Sequence, residues 1–212
     1  SGVELTLKDV WGYSSDDVYI VGYDGTILHY DGNTNGDWEL IQNDNQENLT
    51  QENLNAVCGD DGDNVFAVGI SGTVVKHDKI TDTWSVTTLP GSPYLYGCWG
   101  SNSSSAVYAT GFTGSIFKFN GSSWDSMTSG TSENLYRVWG SSEENVYAVG
   151  ADGGIYHYDG NIDGTWQWVD SGYDDILYGI WGSSAQDIYT VGLGGTVIYY
   201  DGSDHIWDTS RN

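Results

Sequence analysis

The feature that most constrains the fold is an internal repeat. The segment LYRVWGSSEENVYAVGADGGIYHYDG, residues 135–160, returns 42 residues later as LYGIWGSSAQDIYTVGLGGTVIYYDG. Five copies share this pattern, and their Trp-Gly step, or Cys-Gly in the second copy, begins at Trp11, Cys58, Trp99, Trp139 and Trp181. The spacings are 47, 41, 40 and 42 residues. Such a period indicates an array of similar supersecondary units.

Each copy contains four short runs that favour β-strands. The runs are rich in Val, Ile, Tyr, Trp and Thr, alternate in polarity, and are separated by clusters of Gly, Asp, Asn and Ser. This pattern is typical of short antiparallel strands. We designate them strand a, through the Trp-Gly step, strand b, through the VYAVG-like run, strand c, through the next run, and strand d, around the later Trp. No window has a convincing helical period.

Four strands in about 40 to 45 residues are the period of one β-propeller blade. We therefore predict an all-β fold, a five-bladed β-propeller with four antiparallel strands per blade and no exchange of strands between blades. The predicted blades are residues 1–46, 47–91, 92–132, 133–174 and 175–212. The two ends of the sequence fall at matching points of the repeat, so we expect flush closure of the ring. We also expect a monomer.

The repeated tryptophans are predicted to be structural. Trp11, Trp99, Trp139 and Trp181 should wedge between neighbouring blades, where burial of an indole contributes roughly 4 to 6 kcal/mol gross. Cys58 occupies the Trp position of its copy, and Cys98 directly precedes Trp99. The two cysteines should project toward each other from adjacent blades. A disulfide and a pair of buried thiols are both compatible with this placement.

The segment VWGSSEENVYAVGADGGIYHYDG resembles the bacterial BNR-like, or photosystem II assembly factor YCF48-like, propeller repeats of long repetitive surface and secreted proteins. The resemblance covers all five copies. It implies a β-propeller fold and, more loosely, extracellular interaction or carbohydrate binding. It does not imply a particular activity.

Charge limits the partners. Thirty acidic residues against six basic ones give a formal net charge of -24, which repels nucleic acid and anionic membranes. The sequence has no run of about twenty apolar residues, so it predicts no membrane-spanning helix. Acidity combined with many Asn, Ser, Thr and Tyr residues favours a secreted or cell-surface protein.

Catalysis finds little support in the sequence. A sialidase needs three arginines around a carboxylate, and the chain has only Arg137 and Arg211. Five-bladed glycosidases place several carboxylates on the inner strands, whereas Asp9 is the only acidic residue in the five strand a segments. We therefore predict no catalytic residues and no enzyme activity, with glycoside hydrolysis as a remote alternative.

Metal binding is weakly indicated. The histidines His29, His77 and His157 occupy or adjoin one strand c position in different blades, so with His205 they are expected to pack rather than to share a metal. Calcium is the one ion considered, at Asp60, Asp61 and Asp63 in the a–b turn of the second copy. A solvated acidic turn is preferred there, because no EF-hand spacing follows. No other cofactor is predicted.

The predicted ligand face is formed by the b–c loops and the linkers between blades. The framework of the b–c loops is constant while their tips vary, which is how a scaffold carries different contacts. Candidate ligand residues are Tyr23, Asp24, Phe112, Thr113, Asp152, Tyr94, Tyr173 and Arg137. Aromatic rings beside short polar groups suit a neutral glycan, and they equally suit a protein partner. The first hypothesis is lectin-like binding; the alternative is a protein-interaction or adhesive module.

Overall fold

The computed structural model describes residues 6–60, 63–202 and 207–208 and contains five antiparallel sheets. The first consists of β1 (Leu7–Ser14), β2 (Asp17–Gly22), β3 (Ile27–Tyr30) and β4 (Glu39–Leu40). The second consists of β5 (Leu54–Gly59), β6 (Asn64–Gly69), β7 (Thr73–Asp78) and β8 (Thr83–Thr88). The third consists of β9 (Leu95–Gly100), β10 (Ala106–Gly111), β11 (Ile116–Asn120) and β12 (Trp124–Met127).

The fourth sheet consists of β13 (Leu135–Ser142), β14 (Asn145–Gly150), β15 (Ile155–Tyr158) and β16 (Gln167–Val169). The fifth consists of β17 (Leu177–Ser184), β18 (Asp187–Gly192) and β19 (Val197–Tyr200), and Asp208 pairs with Tyr199 where a fourth strand belongs. The predicted five-bladed β-propeller with four antiparallel strands per blade is thus confirmed. Each sheet uses consecutive strands, so no strand is exchanged between blades. Among the described residues there is no α-helix, and no helix is long and apolar enough to cross a membrane.

The inner strand of every blade carries a bulge at an equivalent position near its start. In β13, Leu135 pairs with Gly150 and Arg137 pairs with Val149, which leaves Tyr136 without a partner across the sheet. A Cβ atom on Gly150 would lie 2.0 Å from the carbonyl oxygen of the residue before Leu135, so this glycine permits the close approach. The equivalent bulged residues of the other blades are Lys8, Asn55, Tyr96 and Tyr178.

Successive blades pack through the Trp-Gly step. A Cβ atom on Gly182 would lie 2.6 Å from the indole of Trp139, so the glycine is the place where the indole of the preceding blade rests. The same contact joins Trp11 to Gly59 and Trp99 to Gly140. Around these contacts lie four apolar cores, one between each pair of successive blades.

The second and third blades are joined differently. Cys58 and Cys98 form a disulfide between the inner strands β5 and β9. Because Cys58 stands where the other blades have Trp, no indole rests on Gly100. Instead, a Cβ atom on Gly100 would lie 2.0 Å from the carbonyl oxygen of Gly59. The disulfide therefore takes the place of an indole at this interface.

The structure corrects the expectation of flush closure. β1 packs on β5, β5 on β9, β9 on β13 and β13 on β17, but within the described chain β17 does not pack on β1 in this way. Trp181 is 60% exposed rather than wedged between blades. A Cβ atom on Gly12 would meet only atoms of its own blade. Leu7 and Val10 of the first blade are likewise exposed, so within the described residues the first and fifth blades do not cover each other and the five blades form an arc.

Candidate binding face

The b–c turns and the linkers that precede strand a lie at one end of the blades and are hydrogen-bonded to each other. In the third blade, the backbone nitrogen of Phe112 donates to the carbonyl oxygen of Tyr94 at 2.8 Å. The nitrogen of Thr113 donates to the side chain of Asn134 at 3.1 Å, as Asp24 does to Asn53 at 3.0 Å. We call the surface made by these turns and linkers the loop face.

The b–c turns are rigid framework. Their central residues have left-handed backbones, with φ of 54° at Asp24, 53° at Thr113 and 54° at Asp152. This conformation is unfavourable for a β-branched residue, and the Thr113 hydroxyl stabilises it by donating to the carbonyl oxygen of Phe112 at 2.8 Å. The backbone of the central residue thus serves the turn, while its side chain remains exposed at Asp24, Thr113 and Asp152.

The aromatic residues and the arginine that the sequence predicts to bind a ligand lie in three different environments. Tyr23, Tyr94 and Phe112 are exposed on the loop face, at 40%, 45% and 49%. Tyr173 instead packs against the apolar core between the fourth and fifth blades. Arg137 is engaged in an ion pair, described below.

A contiguous row of tyrosines lies across the third, fourth and fifth blades. The ring centroids are 5.5 Å apart between Tyr94 and Tyr96, 5.3 Å between Tyr96 and Tyr136, and 5.5 Å between Tyr136 and Tyr178. The last three are the bulged residues of the inner strands. We call these four residues the tyrosine row. Because bulges redirect side chains out of the regular alternation, the bulge in each inner strand accounts for the row.

Within the tyrosine row, Tyr96 offers a protonated hydroxyl. Burial raises the pKa of Tyr96, and the neighbouring Tyr136 and Tyr94 raise it further. Its hydroxyl therefore remains a hydrogen-bond donor at neutral pH. In the first blade the bulged residue is Lys8, whose ammonium lies 5.4 Å from the ring centroid of Tyr23.

Arg137 contacts Asp9 of the first blade. Both terminal nitrogens of the guanidinium lie 3.4 Å from carboxylate oxygens of Asp9. One of these oxygens also accepts a hydrogen bond from the backbone nitrogen of Val57 at 3.1 Å. Arg137 therefore links the inner strands of two blades that are not neighbours. Its guanidinium donors are used within the protein, on the carboxylate of Asp9.

The loop face is acidic. Its exposed carboxylates, contributed by turns and linkers of three blades, are Asp24, Glu133, Asp152, Asp174 and Asp175. The nearby cations Lys8 and Arg137 already contact Tyr23 and Asp9. Aromatic rings beside uncompensated carboxylates favour a cationic ligand.

The calcium candidate is a hydrogen-bonded turn. The carboxylate of Asp60 accepts hydrogen bonds from the backbone and side-chain nitrogens of Asn64. Asp63 is exposed, and Asp61 lies outside the described residues. In the part of the chain that the structure describes, no three His, Cys, Asp or Glu residues are grouped to hold a metal ion.

The histidines pack as the sequence indicates. His29 stacks on Tyr19 and His157 on Tyr147, with centroids 4.2 and 4.3 Å apart. His77 stacks on Trp84 at 4.2 Å. His205 lies outside the described residues.

A groove lies elsewhere, between the outer strands of the fourth and fifth blades. Its volume is about 580 Å³, and Tyr147, His157, Tyr200 and Trp207 line it. A similar groove lies between the first two blades, lined by His29, His77 and Trp84. Repetition at equivalent places indicates that these grooves are a consequence of blade packing.

The sequence contained a signal for the tyrosine row. LYGCWG, LYRVWG and LYGIWG each have Tyr after Leu, whereas the first two copies have Lys8 and Asn55 there. Strict alternation would place this residue on a blade face. Only the register, with its bulge, shows that the three tyrosines meet.

Comparison with known proteins supports the fold alone. No family model matches the chain, and a search of curated proteins found no significant match. Solved β-propellers do resemble it: a structure of U3-55K (TM-score 0.79, 11% identity) and the RRP9 WD40 repeats (0.81, 12%). The WD40 β-propeller domain of Doa1 also superposes (0.74, 14%). Each match covers 98% of this chain but only 64%, 63% and 69% of the respective neighbour.

Proposed function

We propose that the chain is a non-catalytic binding module that recognises an arginine- or lysine-containing polypeptide segment on the loop face. The tyrosine row carries this proposal. Tyrosines supply large rigid contact areas with a polar tip, and they are enriched at protein interfaces. The row extends over three blades, which suits an extended segment better than a single small molecule.

The arrangement of the rings favours a polypeptide over a sugar. A sugar ring stacks on one open aromatic face, but Tyr96 and Tyr136 each have a tilted tyrosine ring on both sides. What the row presents in addition is hydroxyl groups. Their oxygens accept hydrogen bonds from backbone amides and from guanidinium groups.

Charge supports a basic segment. The net charge is -24, and exposed carboxylates such as Glu133 and Asp152 lie in the linkers and turns of the same loop face. Cationic side chains would contact both carboxylates and aromatic rings, and opposite charge would increase the rate of association.

The test is binding of a labelled peptide of alternating Arg and Gly, measured by fluorescence anisotropy in 0.15 M salt. Because charge alone attracts such a peptide, variants that keep the charge isolate the row. We expect the double variant Y136S/Y178S to bind at least about ten-fold more weakly, a loss of about 1.4 kcal/mol. The matched control is Tyr13→Ser, since Tyr13 is 57% exposed and outside the row, and it should bind as wild type. Equal binding by both variants, or no binding by the wild type, would contradict the proposal.

Carbohydrate recognition is the second candidate, and Phe112 is the observation that favours it. Its ring is 49% exposed at a turn tip that also carries the hydroxyls of Thr113 and Ser115. An exposed ring beside hydroxyls can stack on a sugar. A glycan array with wild type and Phe112→Ala tests this function, which requires a signal that the substitution abolishes. An array blank with the wild type would remove it.

The repeats are also proposed to belong with the BNR-like or YCF48-like group and to act in a secreted or cell-surface protein. The Cys58–Cys98 disulfide supports this location, because disulfides persist in oxidising compartments. Protease protection of the protein in intact cells, compared with lysed cells, would test it: an accessible protein is expected.

A further inference from the structure

We propose that the two ends of the arc bind two further four-stranded repeats of the same Trp-Gly type, which complete the ring. We call the outward surface of the first blade, with Leu7, Val10 and Gly12, the first end face. The outward surface of the fifth blade, with Trp181, Tyr189 and Val191, is the second end face. Each is half of a blade-to-blade interface; the chain contains four such interfaces, three of them with the Trp-Gly contact.

The second end face exposes positions that are buried in other blades. Tyr189 is 36% exposed, whereas the equivalent Tyr19 and Tyr147 are 1% and 6% exposed. Val191 is 47% exposed, against 0% for the equivalent Val149. The residue types and their places in the sheet are the same. The fifth blade differs in having no blade after it.

The first end face shows the complementary exposure. Leu7 is 45% exposed, while its equivalents Leu54, Leu95, Leu135 and Leu177 are all 0% exposed. Val10 is 60% exposed, against 4% for Val57 and 5% for Val138. These equivalents pack against the preceding blade, which the first blade lacks.

The Trp-Gly contact defines what fits. Among the described residues, no glycine lies beneath the indole of Trp181, and no indole rests on Gly12. A polypeptide that completes both contacts must offer a glycine to Trp181 at one end and a tryptophan to Gly12 at the other. A repeat of the type found here, with its Trp-Gly strand, does both.

The neighbouring propellers indicate the number of missing repeats. The five blades superpose over 98% of the chain on 63 to 69% of each neighbouring propeller chain. About a third of each neighbouring chain therefore has no counterpart here, a length that corresponds to roughly two more blades. A second copy of the whole arc would have to place five blades in that gap and would collide with the first.

The exposure of the second end face can be measured directly with a thiol probe. The described cysteines are both in the disulfide, so an introduced cysteine reports its own position. We expect Val191→Cys to react with a maleimide at least ten-fold faster than Val149→Cys, the matched buried control. Equal slow labelling would show that the face is covered in the five-repeat chain and would overturn the proposal.

Ring completion is tested by inserting copies of residues 133–174 between the fourth and fifth blades. Such copies preserve the Trp-Gly contact at every new junction. With two copies inserted, we expect a monomer in which the thiol of the Val191→Cys variant reacts with the maleimide at least ten-fold more slowly than in the five-repeat chain. We also expect Tm to rise by several degrees. With one copy, the cysteine should stay reactive.

Two further outcomes would overturn the proposal. Protection with one inserted copy, or in no variant, would show that the gap is not two repeats wide. Stable head-to-tail association of the five-repeat chain, seen by light scattering and abolished by Trp181→Ala, would show that a second copy covers the end faces.

Discussion

Cross-strand pairs between strands b and c show how one residue position can carry different chemistry with the same packing. An aromatic residue in strand b meets His in the first and fourth blades, at Tyr19 and Tyr147. In the third blade the ammonium of Lys118 lies 5.4 Å from the ring centroid of Tyr108. A flat imidazole and an ammonium both pair favourably with an aromatic face. The sequence varies here because the packing tolerates either partner.

His77 makes stability depend on pH. It is buried, stacks on Trp84, and lies 3.2 Å from the hydroxyl of Tyr19 and 3.1 Å from Asp82. Burial lowers its pKa, and the carboxylate of Asp82 only partly opposes this. Below about pH 6.5 the unfolded chain therefore takes up a proton that the folded chain does not, so stability falls as pH falls.

Urea unfolding at pH 7.5, 6.5 and 5.5 measures this effect. We expect the wild-type midpoint to decrease between pH 7.5 and 5.5, and His77→Gln to show a smaller decrease. Burial raises the pKa of Asp17, but hydrogen bonds from Lys79 and His29 bring it below its usual value. This carboxyl therefore contributes to the pH dependence of stability only at lower pH. A His77→Gln variant with the full wild-type pH dependence would refute the role of His77.

At the scale of strands and turns, the sequence was sufficient for the elements but not for their detailed register. Alternating apolar runs bounded by Gly and Asp located the strands, because these patterns are local. The bulge in strand a depends on pairing with strand b, so the positions of Tyr96, Tyr136 and Tyr178 did not follow from alternation. The candidate site was therefore predicted only in part, at Tyr23, Tyr94 and Phe112.

The disulfide belongs to the same scale, because it joins two inner strands in place of an indole. It closes a loop with a sequence separation of 40 residues, and disulfides typically contribute about 2 to 4 kcal/mol. We expect the double variant Cys58→Ala/Cys98→Ala to lose that stability in chemical denaturation. A wild type treated with reductant is the matched comparison. An unchanged midpoint in both would show that the bond does not stabilise the second and third blades.

For the whole molecule, the sequence gives the number of repeats but not the number that closes a ring. The closing number depends on the angle between blades, which arises from the thickness of the packed side chains at each interface. Matching chain ends suggested closure, yet Leu7, Trp181 and Val191 are exposed. Repeat proteins in which each unit contacts only its neighbours keep their internal packing without closure, so an open arc is consistent with four intact interfaces.

The most direct measurement of this account compares the free energies of unfolding of Trp139→Ala and Trp181→Ala. Both residues occupy the same strand position, but the indole of Trp139 rests on Gly182, while Trp181 is 60% exposed. We predict a loss of about 2 to 4 kcal/mol for Trp139→Ala and about 0.5 kcal/mol or less for Trp181→Ala. Equal losses would contradict the account, since they would mean that the fifth blade packs on the first.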